Sequence, residues 1–127
     1  MKKILICTLT IIILVVVLKV ANVKRIILRK MYVKDYSEYV YEYATEYNVD
    51  PLLVFAVIKA ESNFKKDATS TSNAIGLMQL MENTAIETGE KVNEKINSKE
   101  ELYNPKINVK IGIKYLSELL ERYDGNL

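Results

Sequence analysis

Hydrophobic and polar positions divide the chain into an apolar N-terminal run and a longer stretch of helical periodicity. A weakly polar to apolar run extends from Ile4 to Leu18, behind Lys2 and Lys3. Further on, Val33, Tyr36, Val40, Tyr43, Ala44 and Tyr47 recur at three- and four-residue steps, which predicts an amphipathic helix that Asn48-Val49 breaks. Asp50-Pro51 starts the next helix: a side-chain cap followed by proline in the first turn. That helix runs through Leu52–Ile58 to about Glu61 and is apolar nearly all round, which predicts the buried central helix. Residues 63–73 are polar and read as a loop. Helical spacing resumes from Ala74 to Glu87 with Leu77, Leu80, Met81 and Ala85, and Gly89 is the expected stop. Ser98 and Glu101 fit a capping box for a short turn before Leu102 and Tyr103. Asn104-Pro105 opens the last helix, with Val109, Ile113, Leu116, Leu120 and Tyr123 on one face and Asp124-Gly125 at its end. With no β-period alternation, internal repeat or low-complexity tract, the expected fold class is all-α.

The N-terminal run reads as a membrane address. Lys19 interrupts it, but a lysine stem can snorkel, so Val20 and Ala21 extend the apolar length. That length sits at the short end of the roughly 17–25 residues that cross a bilayer. No small-x-small cleavage site follows, so an uncleaved signal anchor over residues 1–21 is favoured over a cleaved signal peptide. Residues 22–34 form a basic stalk, and 35–127 the single domain. Orientation meets a conflict. Lys19, Lys24, Arg25, Arg29 and Lys30 follow the run, and the positive-inside rule would keep that side cytoplasmic.

Composition removes several kinds of chemistry. The net charge is +2, with Lys and Arg scattered among Asp and Glu, which gives no stripe for nucleic acid. One cysteine, Cys7, cannot form an internal disulfide, and the chain contains no histidine. Zinc-type ligand clusters and Ser-His or Cys-His nucleophile pairs are therefore excluded. Carboxylates, amides, hydroxyls and tyrosines remain.

Among the carboxylates, Glu61 stands out. It follows ten mostly apolar helical positions, where a helix meets a polar loop. A carboxyl half-sunk in an apolar wall resists ionisation and holds a proton, as a general acid must. Taken alone, a glutamate at a helix end is more often simply solvated.

The surrounding residues change that balance. Glu61-Ser62-Asn63-Phe64, then Ser70, then Gly76-Leu77-Met78-Gln79-Leu80-Met81 and Thr84-Ala85 resemble the lysozyme-like lytic transglycosylases of the soluble-lytic-transglycosylase family. Tyr103-Asn104-Pro105, Asn108, Gly112, Tyr115 and Leu116 resemble that family's following helix, so the similarity covers the chain from about Tyr36. The resemblance implies a lysozyme-like helical domain acting on the glycan strands of peptidoglycan outside the cytoplasmic membrane, with no metal or cofactor. It implies Glu61 as catalytic acid and base. It implies substrate contacts from Ser62, Ser70, Met78, Gln79, Met81 and Tyr115, with a groove whose floor holds Glu61 and whose rim holds Ser70 and Gln79. For Ser62 the alternative is a helix-end cap, and for Met78, Met81 and Tyr115 ordinary packing. Two departures stand against the family pattern. Glu82 occupies the place of the family's proline after methionine, and a further Ala-Tyr-Asn-x-Gly helix is expected after the Gly125-Asn126 region, where this chain stops at Leu127.

Glycosidases generally use two carboxylates. The motif supplies one. A single carboxyl suffices if it protonates the glycosidic oxygen and then takes the proton of the muramic C6 hydroxyl, leaving a 1,6-anhydro end, and this is the route the resemblance implies. The rivals are a muramidase of the same fold, which needs a second carboxylate facing Glu61, and a peptidoglycan-binding protein without turnover.

Overall fold

The computed structural model describes residues 13–23 and 35–123. The chain divides into two units, residues 1–34 and 35–127. In the first, residues 13–23 are helical and exposed throughout. No helix among the described residues is long and apolar enough to cross a membrane. The rest of the predicted anchor, residues 1–12, and most of the stalk, 24–34, lie outside the described residues.

The second unit contains four α-helices and one 3-10 turn among its described residues: α1 Ser37–Glu46, α2 Pro51–Ser62, α3 Glu82–Lys91, the turn Lys99–Tyr103, and α4 Pro105–Arg122. The two proline-led starts form as the sequence predicts. The Leu52 N–H donates to Asp50 Oδ1 at 2.9 Å, and the N–H groups of Lys106 and Ile107 donate to Asn104 Oδ1 at 3.0 and 3.4 Å. Each cap satisfies amides that a helix start leaves without partners, at about 1 kcal/mol apiece.

The long α4, and not α2, is the central helix. It packs on α1, α3 and the 3-10 turn, and buries Asn108, Val109, Ile111, Gly112, Ile113, Leu116 and Ser117. Ile111 joins Ile75, Leu80, Ala85, Ile96 and Leu102 in one apolar cluster. By contrast, α2 buries only Val54, Phe55, Ile58 and Ser62, while Leu52 is 50% exposed. Its all-round apolar sequence therefore does not mark burial on every side.

Three local expectations are also corrected. Residues 74–81 are not helical: Thr69 and Leu80 each form an isolated antiparallel bridge with Ile75, and α3 begins only at Glu82. Gly89 lies inside α3, which continues to Lys91, and its carbonyl accepts from the N–H groups of Val92 and Glu94. The capping box at Ser98 does not close, since Glu101 instead accepts from the backbone and side chain of Asn97. The expected stop of the last helix at Asp124-Gly125 lies outside the described residues.

Candidate active site

The last turn of α2 delivers Glu61. Val54 and Ile58 of that helix are buried against the core, while Val57, one turn before Glu61, lies on the same side as the carboxylate. The helix then stops abruptly. Asn63 and Phe64 adopt left-handed backbone at φ 50° and 63°, turning the chain away immediately beyond the carboxylate.

The opposite wall is the turn from Ile75 to Leu80. The N–H of each of these two residues donates to the carbonyl of the other, at 2.9 and 3.0 Å, and the Gln79 N–H donates to Gly76 O at 3.2 Å. Gly76 (φ 78°) and Gln79 (φ 49°) both take left-handed backbone, which explains why the helical spacing of Leu77, Leu80 and Met81 does not yield a helix. A side chain at Gly76 would have no room: a Cβ would lie 2.6 Å from Leu102 O and closer still to the Asn108 amide.

Asn108 holds this turn from below. Fully buried on α4, its Oδ1 accepts from the Met78 N–H at 2.8 Å. Its Nδ2 donates to the carbonyls of Ile75 at 2.9 Å and Leu102 at 2.8 Å. All three bonds are buried, where an unmade one is costly.

Between these walls runs an open cleft of about 330 Å³. Glu61 and Val57 line it from α2, and Met78, Gln79, Leu80 and Met81 from the turn. Thr84 contributes from α3, and Gly112, Tyr115, Leu116 and Leu119 from α4. The four α4 positions repeat at helical spacing, so one face of that helix forms a wall. Gly112 brings the wall close to the turn: a Cβ there would stand 2.9 Å from Met78 Cβ, and closer to its sulfur. Glu61 is the only charged residue lining the cleft among the described residues, and its side chain makes no hydrogen bond or ion pair with them.

Of the residues singled out from the sequence, Glu61, Met78, Gln79, Met81 and Tyr115 line this cleft, and Ser62 and Ser70 do not. The Glu61 residue is exposed rather than half-sunk in an apolar wall. Ser62 is buried and donates to the carbonyl of Ile58 at 3.1 Å, one turn back in its own helix. Ser70 closes its loop, accepting from the N–H groups of Ser72 at 3.2 Å and Ala74 at 3.0 Å. Gln79 is tied down through its amide nitrogen, which donates to Gly76 O at 2.9 Å and Ala68 O at 3.2 Å. Val57 and Leu119 were not signalled by any motif, only by their helical spacing from Glu61 and Tyr115. Thr84 belongs to the motif that carries the family resemblance, yet its type alone assigns it no contact. No group of three or more Asp, Glu or Cys residues that could hold a metal ion occurs among the described residues.

Among the described residues, a helical unit with a single carboxylate in a groove between a glycine turn and a long helix is the arrangement that the resemblance to the lysozyme-like family implied. Comparison with known proteins agrees. The family model of the Transglycosylase SLT domain matches residues 38–127. The membrane-bound lytic murein transglycosylase E of Buchnera aphidicola is 34% identical over 92 residues, covering 71% of this chain and 42% of the relative. The membrane-bound lytic murein transglycosylase C of Yersinia pestis is 35% identical over 86 residues, covering 66% and 24% respectively. Among solved structures, the lytic transglycosylase Slt of Pseudomonas aeruginosa, an inactive glutamate-to-glutamine mutant, superposes with a TM-score of 0.72 at 31% identity, covering 78% of this chain and 16% of that one. The 70 kDa soluble lytic transglycosylase of Escherichia coli gives a TM-score of 0.71 at 25% identity, over the same shares, and has also been solved with bulgecin A. The chain belongs to the transglycosylase SLT-domain family. It spans less than half the length of these relatives.

Proposed function

We propose that this protein is a peptidoglycan lytic transglycosylase, cleaving the bond between N-acetylmuramic acid and N-acetylglucosamine with Glu61 as both acid and base. The observation that carries this reading is the solitary carboxylate: Glu61 is the only acidic side chain among the cleft's described lining residues. A hydrolase using paired carboxylates would need a second one across the groove. Asp67 is exposed and paired to Lys66 at 2.8 Å, and Glu82 lies outside the cleft lining.

The reaction follows from that arrangement. Glu61 gives its proton to the glycosidic oxygen as the bond to C1 breaks. The resulting carboxylate takes the proton of the muramic C6 hydroxyl, whose oxygen then closes on C1. The leaving sugar keeps the first proton, Glu61 keeps the second, and no water is consumed. Met78, Met81, Leu116 and Leu119 offer apolar faces to sugar rings, while Tyr115 and Gln79 supply polar groups at the rim. A glycan strand lying along the cleft would displace water from around the carboxyl and the reacting bond. Ser62 and Ser70 support the site indirectly, by tying the end of α2 and the following loop.

The relatives named as membrane-bound, with the apolar run at the N-terminus, support attachment to the cytoplasmic membrane through residues 1–21 and a domain outside it.

The test is to incubate the protein with isolated peptidoglycan in ¹⁸O-labelled water and weigh the released muropeptides. Anhydro ends, lighter than hydrolysed ends by one water and free of label, are expected. Reducing ends that carry the heavy oxygen would move the protein to the muramidase reading.

A further inference from the structure

A general acid must carry its proton when the glycosidic bond breaks, and apolar surroundings that exclude water favour the protonated carboxyl. Around Glu61 those surroundings are one-sided. Val57 stands one turn before it in α2, and Met78, Met81, Leu116 and Leu119 line the rest of the same cleft. The cleft is open, Glu61 itself is exposed, and among the described residues its side chain has no hydrogen-bond or ion-pair partner. Solvent therefore occupies the side that an apolar wall would have to close.

The charges near the cleft decide what happens when that side is covered. No cation lines it among the described residues, so none is there to keep the carboxylate ionised once water leaves. Lys59, two residues earlier, lies on another face of α2 and donates to Asn63. Glu82, at the start of α3, is outside the lining, and neither the turn from Ile75 to Leu80 nor Thr84 brings a titratable group. From α4 comes only the phenol of Tyr115, and phenols ionise at about pH 10. Covering Glu61 thus leaves a choice between a lone buried carboxylate and an acid that can donate to an oxygen of the ligand. In proteins, full burial favours the acid form of a carboxyl by as much as about 3–5 pH units.

We propose that a glycan strand closes the open side of this pocket and is bound together with one proton, taken from solution onto Glu61. The proposal rests on the reading of the cleft as the catalytic glycan site. A sugar ring seated over the carboxyl replaces water with C–H surface, and the glycosidic oxygen accepts the O–H of the acid. The substrate thereby completes the catalytic acid. The protons balance through the cycle. One enters with the strand and passes from Glu61 to the leaving sugar as the bond to C1 breaks. The C6 hydroxyl then gives its own proton to Glu61 as the anhydro bond forms, and that proton returns to solution when the product leaves. Because the protonated form is the one that binds, affinity falls as the pH rises.

The experiment measures affinity between about pH 5 and pH 8 for a short strand of alternating N-acetylglucosamine and 6-deoxy-N-acetylmuramic acid, which lacks the attacking hydroxyl and is not turned over. Wild-type affinity is expected to fall with rising pH, by up to about tenfold per pH unit, the limit for uptake of one proton. Glu61→Gln, which resembles the protonated side chain, is expected to bind with little pH dependence and more tightly than wild type at pH 8. Acids of the strand itself are common to both proteins, so the difference between them reports Glu61. On ordinary strands, kcat should hold to higher pH than kcat/KM, since the first reports the complex and the second the free protein. The same pH dependence of affinity in both proteins, or of kcat and kcat/KM, would overturn the coupling. Were anhydro ends still released in that case, the transglycosylase reading would stand without it. Coupled binding with no anhydro product from ordinary strands would uphold the coupling and refute the lytic route. Absence of binding to either strand would overturn both.

Discussion

Glu61 stands in its cleft without a hydrogen-bond or ion-pair partner among the described residues, so changing it disturbs little else. Glu61→Gln keeps the shape of the side chain and removes its capacity to exchange a proton. The rate of anhydro-end formation should fall by roughly 10²–10⁴-fold or more, while strand binding largely survives. Turnover at the wild-type rate would remove both site and mechanism. Asp67→Asn should leave the rate nearly unchanged, because that carboxylate is occupied by Lys66 away from the cleft. Gly112 tests the opposite wall. In Gly112→Ala the new methyl meets the sulfur and Cβ of Met78, which itself lines the cleft. Overpacking of this kind costs about 1–3 kcal/mol, and strand affinity should fall together with melting temperature. A Gly112→Ala protein with unchanged affinity and melting would show that the contact is slack. The place of Glu61 in the cleft was legible because an ordered motif surrounds it. Its exposure was not, since a run of apolar residues does not reveal which face of a helix finds a partner.

Between elements, the tie from α4 to the glycine turn is the sharpest dependence. Asn108 satisfies one buried N–H and two buried carbonyls with a single side chain. Asn108→Ala orphans all three and leaves a void, so a loss of about 2–4 kcal/mol is expected, measured by denaturant unfolding. Asn108→Asp should be no milder, because a carboxylate would confront two carbonyl oxygens with no proton to donate. Wild-type stability in either variant would mean that the turn holds itself. This junction explains why the turn escaped the sequence reading: the spacing of Leu77, Leu80 and Met81 satisfies a helix equally well, and only a residue some thirty positions away decides the matter. The proline-led helix starts, determined by adjacent residues, were fully legible. A second tie, Lys91 to Glu118 at 2.8 Å, joins α3 to α4, with Lys114 at 3.6 Å beside it. The hydrogen bond from Lys91 holds the Glu118 carboxyl below its ordinary 4.5, and the same bond raises the Lys91 ammonium. A depressed carboxylate contributes its full stability above its unfolded value and loses it as the pH falls through the folded one. Wild type should therefore melt above Glu118→Gln at neutral pH, with the gap closing as the pH drops below about 4.5. A gap that persisted undiminished into stronger acid would assign the effect to packing rather than charge.

At the scale of the whole molecule, the helical class and the order of elements could be read from periodicity, whereas the choice of central helix could not. Both α2 and α4 are rich in apolar residues, and only the packing of α1, α3 and the 3-10 turn around α4 makes it the centre. The N-terminal unit poses a different question, because its charges and the proposed activity point in opposite directions. Five cations follow the apolar run within the first thirty residues, against Lys2 and Lys3 before it. Counted that way, the positive-inside rule retains the domain in the cytoplasm. The proposed substrate lies outside the cytoplasmic membrane, and the two relatives described as membrane-bound are murein enzymes. Substrate access should prevail, because a domain of this size translocates largely regardless of flanking charge once the apolar run engages the membrane. A reporter active only outside the cytoplasm, fused after Leu127, should therefore be active. Removal of residues 1–21 should silence it while leaving the fusion folded. A full-length fusion that is stable but silent would place the domain on the side without peptidoglycan, and the proposed function would fall with the topology.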